Sequence, residues 1–197
     1  MATVYLEPAT PFNPSDFPRT LKMTGLKGNY VRVDPERPVD AYMSNGTIKQ
    51  WELEAVIPTR EQAQELANQH MRVKVKTDGT YSMNLKRKTL TGKGTPSAHV
   101  KVVDCGDKAK NIAPQPFKDV NSIGNGSTLN INVYQFHYDM EGVKEGISDM
   151  LSAIQVTDLI LYSGSGSSGF DIEDGFTQSE QSSTTTSTSS NELEVPF

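Results

Sequence analysis

The sequence predicts a mainly β protein built as a small closed or partly open barrel with one helix. Several short segments alternate apolar and polar residues with the period of two that half-buried strands show. Only one stretch has apolar residues at helical spacing, and Asp78-Gly79 is a strong hairpin-turn signal. The OB-fold is a barrel of this kind. An antiparallel sandwich would show much the same periodicity, so it stays open at this point.

The N-terminal residues are predicted to form an extended arm. Four prolines fall within residues 1–19 among small and polar side chains. Proline fixes φ and removes an amide donor, which disfavours a helix or a central strand. Such an arm would wrap the body or bind a partner. From Met23 to about Val33 the chain then has the pattern of a first strand interrupted by glycines.

A half-buried strand and the helix are predicted next. Residues 48–57 alternate cleanly, and the apolar face of this strand contains Trp51, Leu53, Ala55 and Ile57. Pro58 ends the strand. Thr59 followed three residues later by Gln62 is a capping-box pattern, which predicts a helix over residues 60–70. The residues at helical spacing in this segment are Ala63, Leu66, Ala67 and His70.

A basic hairpin is predicted after the helix. Short β-type runs cover residues 71–76, 80–88 and 99–104, and residues 71–101 contain eight Lys or Arg against the single acid Asp78. Like charges opposite one another destabilise a sheet unless a counter-charge covers them. The hairpin therefore suggests an anionic ligand, although an ordinary solvated strand face would look the same.

Residues 128–138 give the sharpest alternation in the chain. One face contains Leu129, Ile131 and Val133 and is predicted to be core, while the other contains Tyr134, Phe136 and Tyr138. Aromatic side chains two residues apart on one strand face stand about 6 to 7 Å apart, a spacing over which unstacked bases can lie. A second apolar layer under the N-terminal arm is the alternative. A last strand, about 151–162, is apolar on both faces and is predicted to be central.

The acidity of the protein is concentrated in the C-terminal tail. Residues 163–197 contain six acidic residues and no Lys or Arg, so the other 162 residues have 19 basic against 18 acidic side chains, although the whole chain carries a net charge of -5. A Gly/Ser-rich stretch and a Ser/Thr-rich stretch in this tail cannot bury a core. The predicted organisation is an arm (1–19), a body (20–162) and a flexible tail (163–197). The tail is either a solubiliser or a partner-binding segment, in which the terminal Phe197 would fill a basic-rimmed pocket.

Several classes of function are disfavoured by the sequence. No run is long and apolar enough for a membrane-spanning helix, and the N-terminus lacks the features of a secretory or import signal. The single cysteine, Cys105, permits no internal disulfide and favours a reducing, cytoplasmic setting. Three scattered histidines show no metal-ligand spacing, and GKGT at 92–95 lacks the earlier glycine of a phosphate loop. We expect no enzyme activity, metal or cofactor.

The sequence resembles a family, the OB-fold single-stranded DNA-binding proteins of short-tailed, T-odd bacteriophages, from about Gly25 to Phe176 and again at Phe197. The segments that carry the resemblance are WELEAVIPTREQ, DGTYSMNLKRK, HVKVVDCGDKAKNIAP, IGNGSTLNINVYQFHY and the acidic DIEDGF. Tyr138 falls where the family has a stacking tyrosine, and Lys86 matches a basic strand residue. Met140 stands where the family has tryptophan, and the tail is less acidic than the family's.

The resemblance implies a five-stranded OB barrel in a phage replication protein that coats single strands, promotes annealing and acts in the cytoplasm of the infected bacterial cell. It also implies a homodimer, and a tail that contacts phage DNA polymerase and helicase-primase. The residues predicted to contact DNA are Lys74, Lys76, Tyr81, Lys86, Arg87, Lys88, Lys93, Tyr134, Phe136 and Tyr138. Those predicted to bind partners are Asp171, Glu173, Asp174, Phe176, Glu192, Glu194 and Phe197. The alternatives are an OB-fold protein-interaction module and an RNA-binding protein.

Overall fold

The computed structural model describes residues 3–42, 44–142 and 144–162. In these ranges the chain forms nine strands and one α-helix. In chain order they are β1 (Val4–Tyr5), β2 (Arg19–Arg32), β3 (Val39–Asp40), β4 (Lys49–Ile57), α1 (Arg60–Asn68), β5 (Lys74–Val75), β6 (Tyr81–Lys88), β7 (Lys101–Val103), β8 (Ser127–Asp139) and β9 (Glu145–Asp158).

Five long strands close into a barrel. β2 pairs with β4, β4 with β6, β8 with β2 and β9 with β8, all antiparallel, and the ring is closed by a parallel pairing of β6 with β9. This five-stranded barrel with one helix confirms the predicted OB-fold and excludes the sandwich. The short strands extend it: β1 pairs with β5, β5 with β6, β3 with β4, and β7 with β9.

The barrel core comes from the inward-facing positions that the alternation predicted. On β8, Leu129, Ile131 and Val133 are fully buried. The inward-facing residues of β4 are also at most 2% exposed: Trp51, Leu53, Ala55 and Ile57. Burying these aliphatic and aromatic side chains is the main free-energy gain of the fold, because each removes a large apolar surface from water.

The first long strand, β2, is longer than predicted and is bent at the glycines that were predicted to interrupt it. β2 begins at Arg19, and its pairing with β8 shifts register between Met23 and Leu26, where Gly25 has a φ of 69°. A left-handed backbone at this bulge is accessible to glycine at little cost. The bend allows one strand to pair with β8 along its first part and with β4 along its second.

The helix begins as predicted and ends two residues early. The Thr59 hydroxyl accepts a hydrogen bond from the Gln62 amide at 3.2 Å, which caps the first turn. The helix ends at Asn68, because His70 has a left-handed φ of 62° and lies outside it. Its buried face packs on the barrel through Ala63, Leu66 and Ala67.

Two of the predicted strands have clearly different limits in the structure. The run predicted at 71–76 pairs only over Lys74–Val75, although the Asp78-Gly79 turn is confirmed by a Gly79 φ of 82°. β9 is central, as predicted, but begins at Glu145 because its hairpin with β8 reaches Asp139. It ends at Asp158, and the following residues hydrogen-bond with residues 122–124 instead.

We expect Gly28→Ala to destabilise the barrel. Gly28 lies on β2, and a Cβ atom at this position would overlap the side chain of Leu129, which is fully buried and has no room to move. Overpacking a core costs about 1 to 3 kcal/mol. Urea unfolding would measure this loss in the free energy of unfolding. Gly92→Ala, where a Cβ meets nothing within 4 Å, is the control and should change stability by less than about 0.5 kcal/mol. Equal stabilities for the two variants would contradict the expectation.

Candidate nucleic-acid interface

The barrel has a seam between β6 and β9. These strands are in register at one position only, where Lys86 pairs with Met150, whereas β4 and β6 pair over eight consecutive positions. The strands therefore do not continue the ladder on either side of this pair, and a surface hollow opens on each side. Lys86 lines both hollows.

The arm-side hollow, of about 330 Å³, lies between the seam, the N-terminal arm and the segment after the helix. Its charged and aromatic lining residues are Tyr5, Arg72, Lys74, Lys86, Tyr138 and Asp149. The Arg72 guanidinium stands 4.9 Å from the centre of the Tyr5 ring, a cation–π arrangement. Tyr138 covers Gly146 on the paired strand, since a Cβ on Gly146 would meet its hydroxyl. Cations and aromatic rings thus lie close together in this hollow.

The loop-side hollow, of about 400 Å³, lies across the seam beside the loop that follows β6. It is lined by Lys86, Arg87 and Lys88 from β6, by Leu90, Thr91, Gly92 and Ser97 from the loop, by Phe136 from β8, and by Ser148, Asp149 and Met150 from β9. A third hollow, the β4-side hollow, contains Tyr30, Arg32 and Tyr42, and Lys86 lines it too. Lys86 is therefore common to all three.

Five cations along the seam form no ion pair with an acidic side chain of the described residues. Within the described ranges, the ion pairs with N···O distances up to 4.0 Å do not include Arg72, Lys74, Lys86, Arg87 or Lys88. Cations held near one another without counter-ions create a positive potential that attracts anionic ligands. The arrangement suits a phosphate backbone, with the aromatic rings available to stack on bases.

The structure brings six of the ten predicted DNA contacts to the two seam hollows: Lys74, Lys86, Arg87, Lys88, Phe136 and Tyr138. The other four lie elsewhere. Lys76 forms an ion pair with Glu54 at 2.9 Å, and Tyr81 packs against the core. Lys93 is exposed in the loop after β6, and Tyr134 has its ring centre 6.1 Å from that of Phe136. The roles of all ten stay predictions.

The prediction that like charges face one another within the hairpin was wrong. Lys74 of β5 pairs with Ser82. The basic end of β6 pairs instead with β4, where Glu52 stands opposite Lys86. The strand before the helix therefore supplies acidic neighbours that the predicted hairpin lacked. Repulsion between β5 and β6 therefore does not indicate an anionic ligand. The cations of the seam do.

Sequence reasoning missed several residues of these hollows. Arg72 was counted in the basic region but not selected as a contact, and Tyr5 was assigned to the arm. Tyr30 and Tyr42 were not considered, although Tyr42 is 91% exposed. A tyrosine in a proline-rich or polar segment is the signal that was available for Tyr5 and Tyr42.

A buried polar network lies beneath the seam. The side chain of Gln135 is fully buried, accepts a hydrogen bond from Arg19 Nε at 2.9 Å and donates one to Asp149 at 2.8 Å. Arg19 and Gln135 also donate to the carbonyl of Gln69, just after the helix. These bonds hold β2, β8, β9 and the end of the helix together under the arm-side hollow.

Burial changes the titration of two groups beside the seam. Desolvation raises the pKa of Asp149 despite the hydrogen bond from Gln135 and the nearby charge of Arg72. Desolvation also lowers the pKa of Arg87, whose Nε is buried and has no hydrogen-bond partner among the described residues. A carboxyl and a guanidinium are thus both poorly solvated next to the bridge between β6 and β9.

The predicted partner-binding residues all lie outside the described residues: Asp171, Glu173, Asp174, Phe176, Glu192, Glu194 and Phe197. In the described part of the chain, no helix is long and apolar enough to cross a membrane. Residues 3–42, 44–142 and 144–162 also contain no cluster of three or more His, Cys, Asp or Glu that could hold a metal ion.

Solved structures similar to this one are single-stranded DNA-binding proteins of bacteriophages. The gp2.5 protein of bacteriophage T7 is 16% identical with a TM-score of 0.48, over 82% of this chain and 99% of that one. The protein of bacteriophage Enc34 in complex with single-stranded DNA is 10% identical with a TM-score of 0.49, over 78% and 95%. No family model and no curated protein matches the sequence. With TM-scores below 0.5, these similarities do not assign a function to this chain.

We expect Asp149→Asn to change stability in a pH-dependent way. Because burial raises the pKa of Asp149 above its value in the unfolded chain, the ionised carboxyl destabilises the fold. This destabilisation is complete above the folded pKa and absent below the unfolded pKa of about 3.9. The free energy of unfolding of the variant, relative to the wild type, should therefore rise as the pH of urea titrations increases from about 4.

Asp78→Asn is the control of opposite sign. Hydrogen bonds from the Thr80 side chain and amide lower the pKa of Asp78, so its carboxylate stabilises the fold above the unfolded pKa, and this stabilisation is lost as pH falls through the folded pKa. The relative stability of this variant should fall as pH rises. A common pH dependence for the two variants would show that the environment of Asp149 is not as described.

Proposed function

We propose that this protein binds single-stranded DNA without marked sequence specificity and serves phage DNA replication and recombination. The observation that carries the proposal is the seam, where cations that form no ion pair within the described ranges lie together with aromatic rings beside the Lys86–Met150 bridge. The resemblance of the sequence to the phage single-stranded DNA-binding family supports the same function.

In this proposal the cations of the seam bind phosphates and its aromatic rings bind bases. Lys74, Lys86 and Lys88 neutralise phosphates, and binding is favoured by release of the counter-ions that the DNA had condensed. Tyr138 and Phe136 stack on bases, and each stack contributes about 1 to 3 kcal/mol for any base because every base has a π-face. A duplex keeps its bases stacked inside, so these rings select single strands.

The proposal extends to the organisation of the chain. Residues 20–162 form the DNA-binding domain, the arm (1–19) borders it, and the acidic tail (163–197) recruits phage DNA polymerase and helicase-primase. The protein coats and anneals strands as a homodimer in the cytoplasm of the infected bacterial cell. The tail, an anion with no basic residues, occupies the cationic groove in the absence of DNA and is displaced by it.

We expect Lys86→Gln to weaken binding of a dT oligomer and to reduce its salt dependence. Removing one phosphate contact should make the slope of log affinity against log salt concentration less steep by about 1. Fluorescence anisotropy at several salt concentrations measures this slope. Lys110→Gln is the matched control, because Lys110 is 74% exposed and pairs with Asp107 in a separate loop. Equal slopes for both variants, or no binding by the wild type at low salt, would contradict the proposal.

Removing residues 163–197 should tighten binding of the dT oligomer, because a competing anion is lost. The comparison uses the full-length protein and a chain ending at Tyr162, with duplex DNA as competitor and a U oligomer to detect preference for RNA. Weaker or unchanged binding by the shortened chain would overturn the competition between tail and DNA, while leaving DNA binding itself in place.

A further inference from the structure

The loop-side hollow contains a cation whose hydrogen-bonding capacity is not satisfied by the described part of the chain. Arg87 lies two residues after Leu85 on β6 and therefore on the same, inward face of the strand, and its side chain is half-buried. Its Nε is fully buried and donates to no acceptor within the described ranges. A partly desolvated guanidinium costs free energy, part of which a ligand that supplies acceptors to its terminal nitrogens would recover.

The walls of this hollow suit a flat, largely apolar ring better than a phosphate. Phe136, Leu90 and Met150 supply aromatic and aliphatic surface, and the volume is about 400 Å³. Asp149 is also among the lining residues, and its negative charge when ionised disfavours a phosphate nearby. Phosphates have an alternative at the exposed side chain of Lys88. These features together indicate a nucleobase as the occupant.

We propose that the loop-side hollow is a guanine-preferring subsite, in which the base stacks on Phe136 and Arg87 donates to O6 and N7. This inference rests on the proposed single-strand binding. Guanine presents two neighbouring acceptors at O6 and N7, which match the two-pronged guanidinium. Adenine places an amino donor where guanine has O6.

One such subsite is compatible with a groove that otherwise tolerates any sequence. Stacking on Tyr138 and phosphate contacts with Lys74 in the arm-side hollow do not depend on base identity. A strand can also slide until a guanine reaches the subsite. The protein would then coat all single strands while pausing in register at guanines.

The test uses oligomers of about 12 nucleotides, a length within the range of single OB-fold sites. The host is dT, and one central position is dT, dG, dA, dC or 7-deaza-dG. We expect dG to bind the wild-type protein about tenfold more tightly than dT, as one bidentate arginine–guanine contact commonly gives. The 7-deaza base lacks the N7 acceptor and should lose most of this gain. Competition anisotropy measures each affinity.

Variants separate the subsite from general binding. Arg87→Gln should abolish the preference for dG, whereas Lys88→Gln, one residue along the same strand, should weaken all five oligomers equally and keep it. Thermal unfolding checks each fold. If Arg87→Gln unfolds, Arg87→Lys replaces it, because lysine keeps the charge but lacks the two-pronged donor and should also lose the preference for dG. Normal dT binding by the wild type with no dG preference, or equal affinity for dG and 7-deaza-dG, would overturn the subsite alone. No binding of any oligomer would overturn the proposed function with it.

Discussion

The closure of the barrel by a single parallel pair, Lys86 with Met150, is the constraint on which the rest of the structure depends. Closure removes the open strand edges that would otherwise pair with other chains. Because β6 and β9 pair at one position only, hollows open on both sides of it. Parallel strands cannot be joined by a tight hairpin. The chain between them therefore makes a long excursion through β7 and β8, and this excursion brings Phe136 and Tyr138 to the seam.

A buried polar network lies beneath the arm-side hollow and joins β2, β8, β9 and the segment after the helix. Gln135 joins Arg19 of β2 to Asp149 of β9, and Arg19 and Gln135 both satisfy the carbonyl of Gln69 after the helix. A satisfied buried network makes the local geometry rigid, because each lost bond would leave a buried group unpaired. The cost is a desolvated carboxyl, which raises the pKa of Asp149. These hydrogen bonds thus hold β2, β8, β9 and the segment after the helix together beside the groove.

Charge is distributed unevenly around β6. On one side, Lys76 pairs with Glu54 and Lys86 faces Glu52 in register, which offsets the repulsion among the basic residues. On the seam side the cations form no ion pair within 4.0 Å among the described residues, and Arg87 is partly desolvated as well. Sites of this kind reduce stability in return for ligand affinity. In the proposed complex, a single strand of DNA would supply phosphates for the exposed lysines and base acceptors for the guanidinium.

The sequence by itself determined the parts of the fold that depend on near neighbours. Alternation identified the core faces of β4 and β8, and local hydrogen-bonding side chains identified the helix start at Thr59 and the turn at Gly79. Tertiary structure alone decided which strands meet, that the sheet closes as a barrel rather than packing as a sandwich, and that Tyr5 from the arm joins Arg72 and Lys86 in one hollow. The physical reason is that a strand's period records which face is buried, whereas its partners are set by packing between segments far apart in the chain.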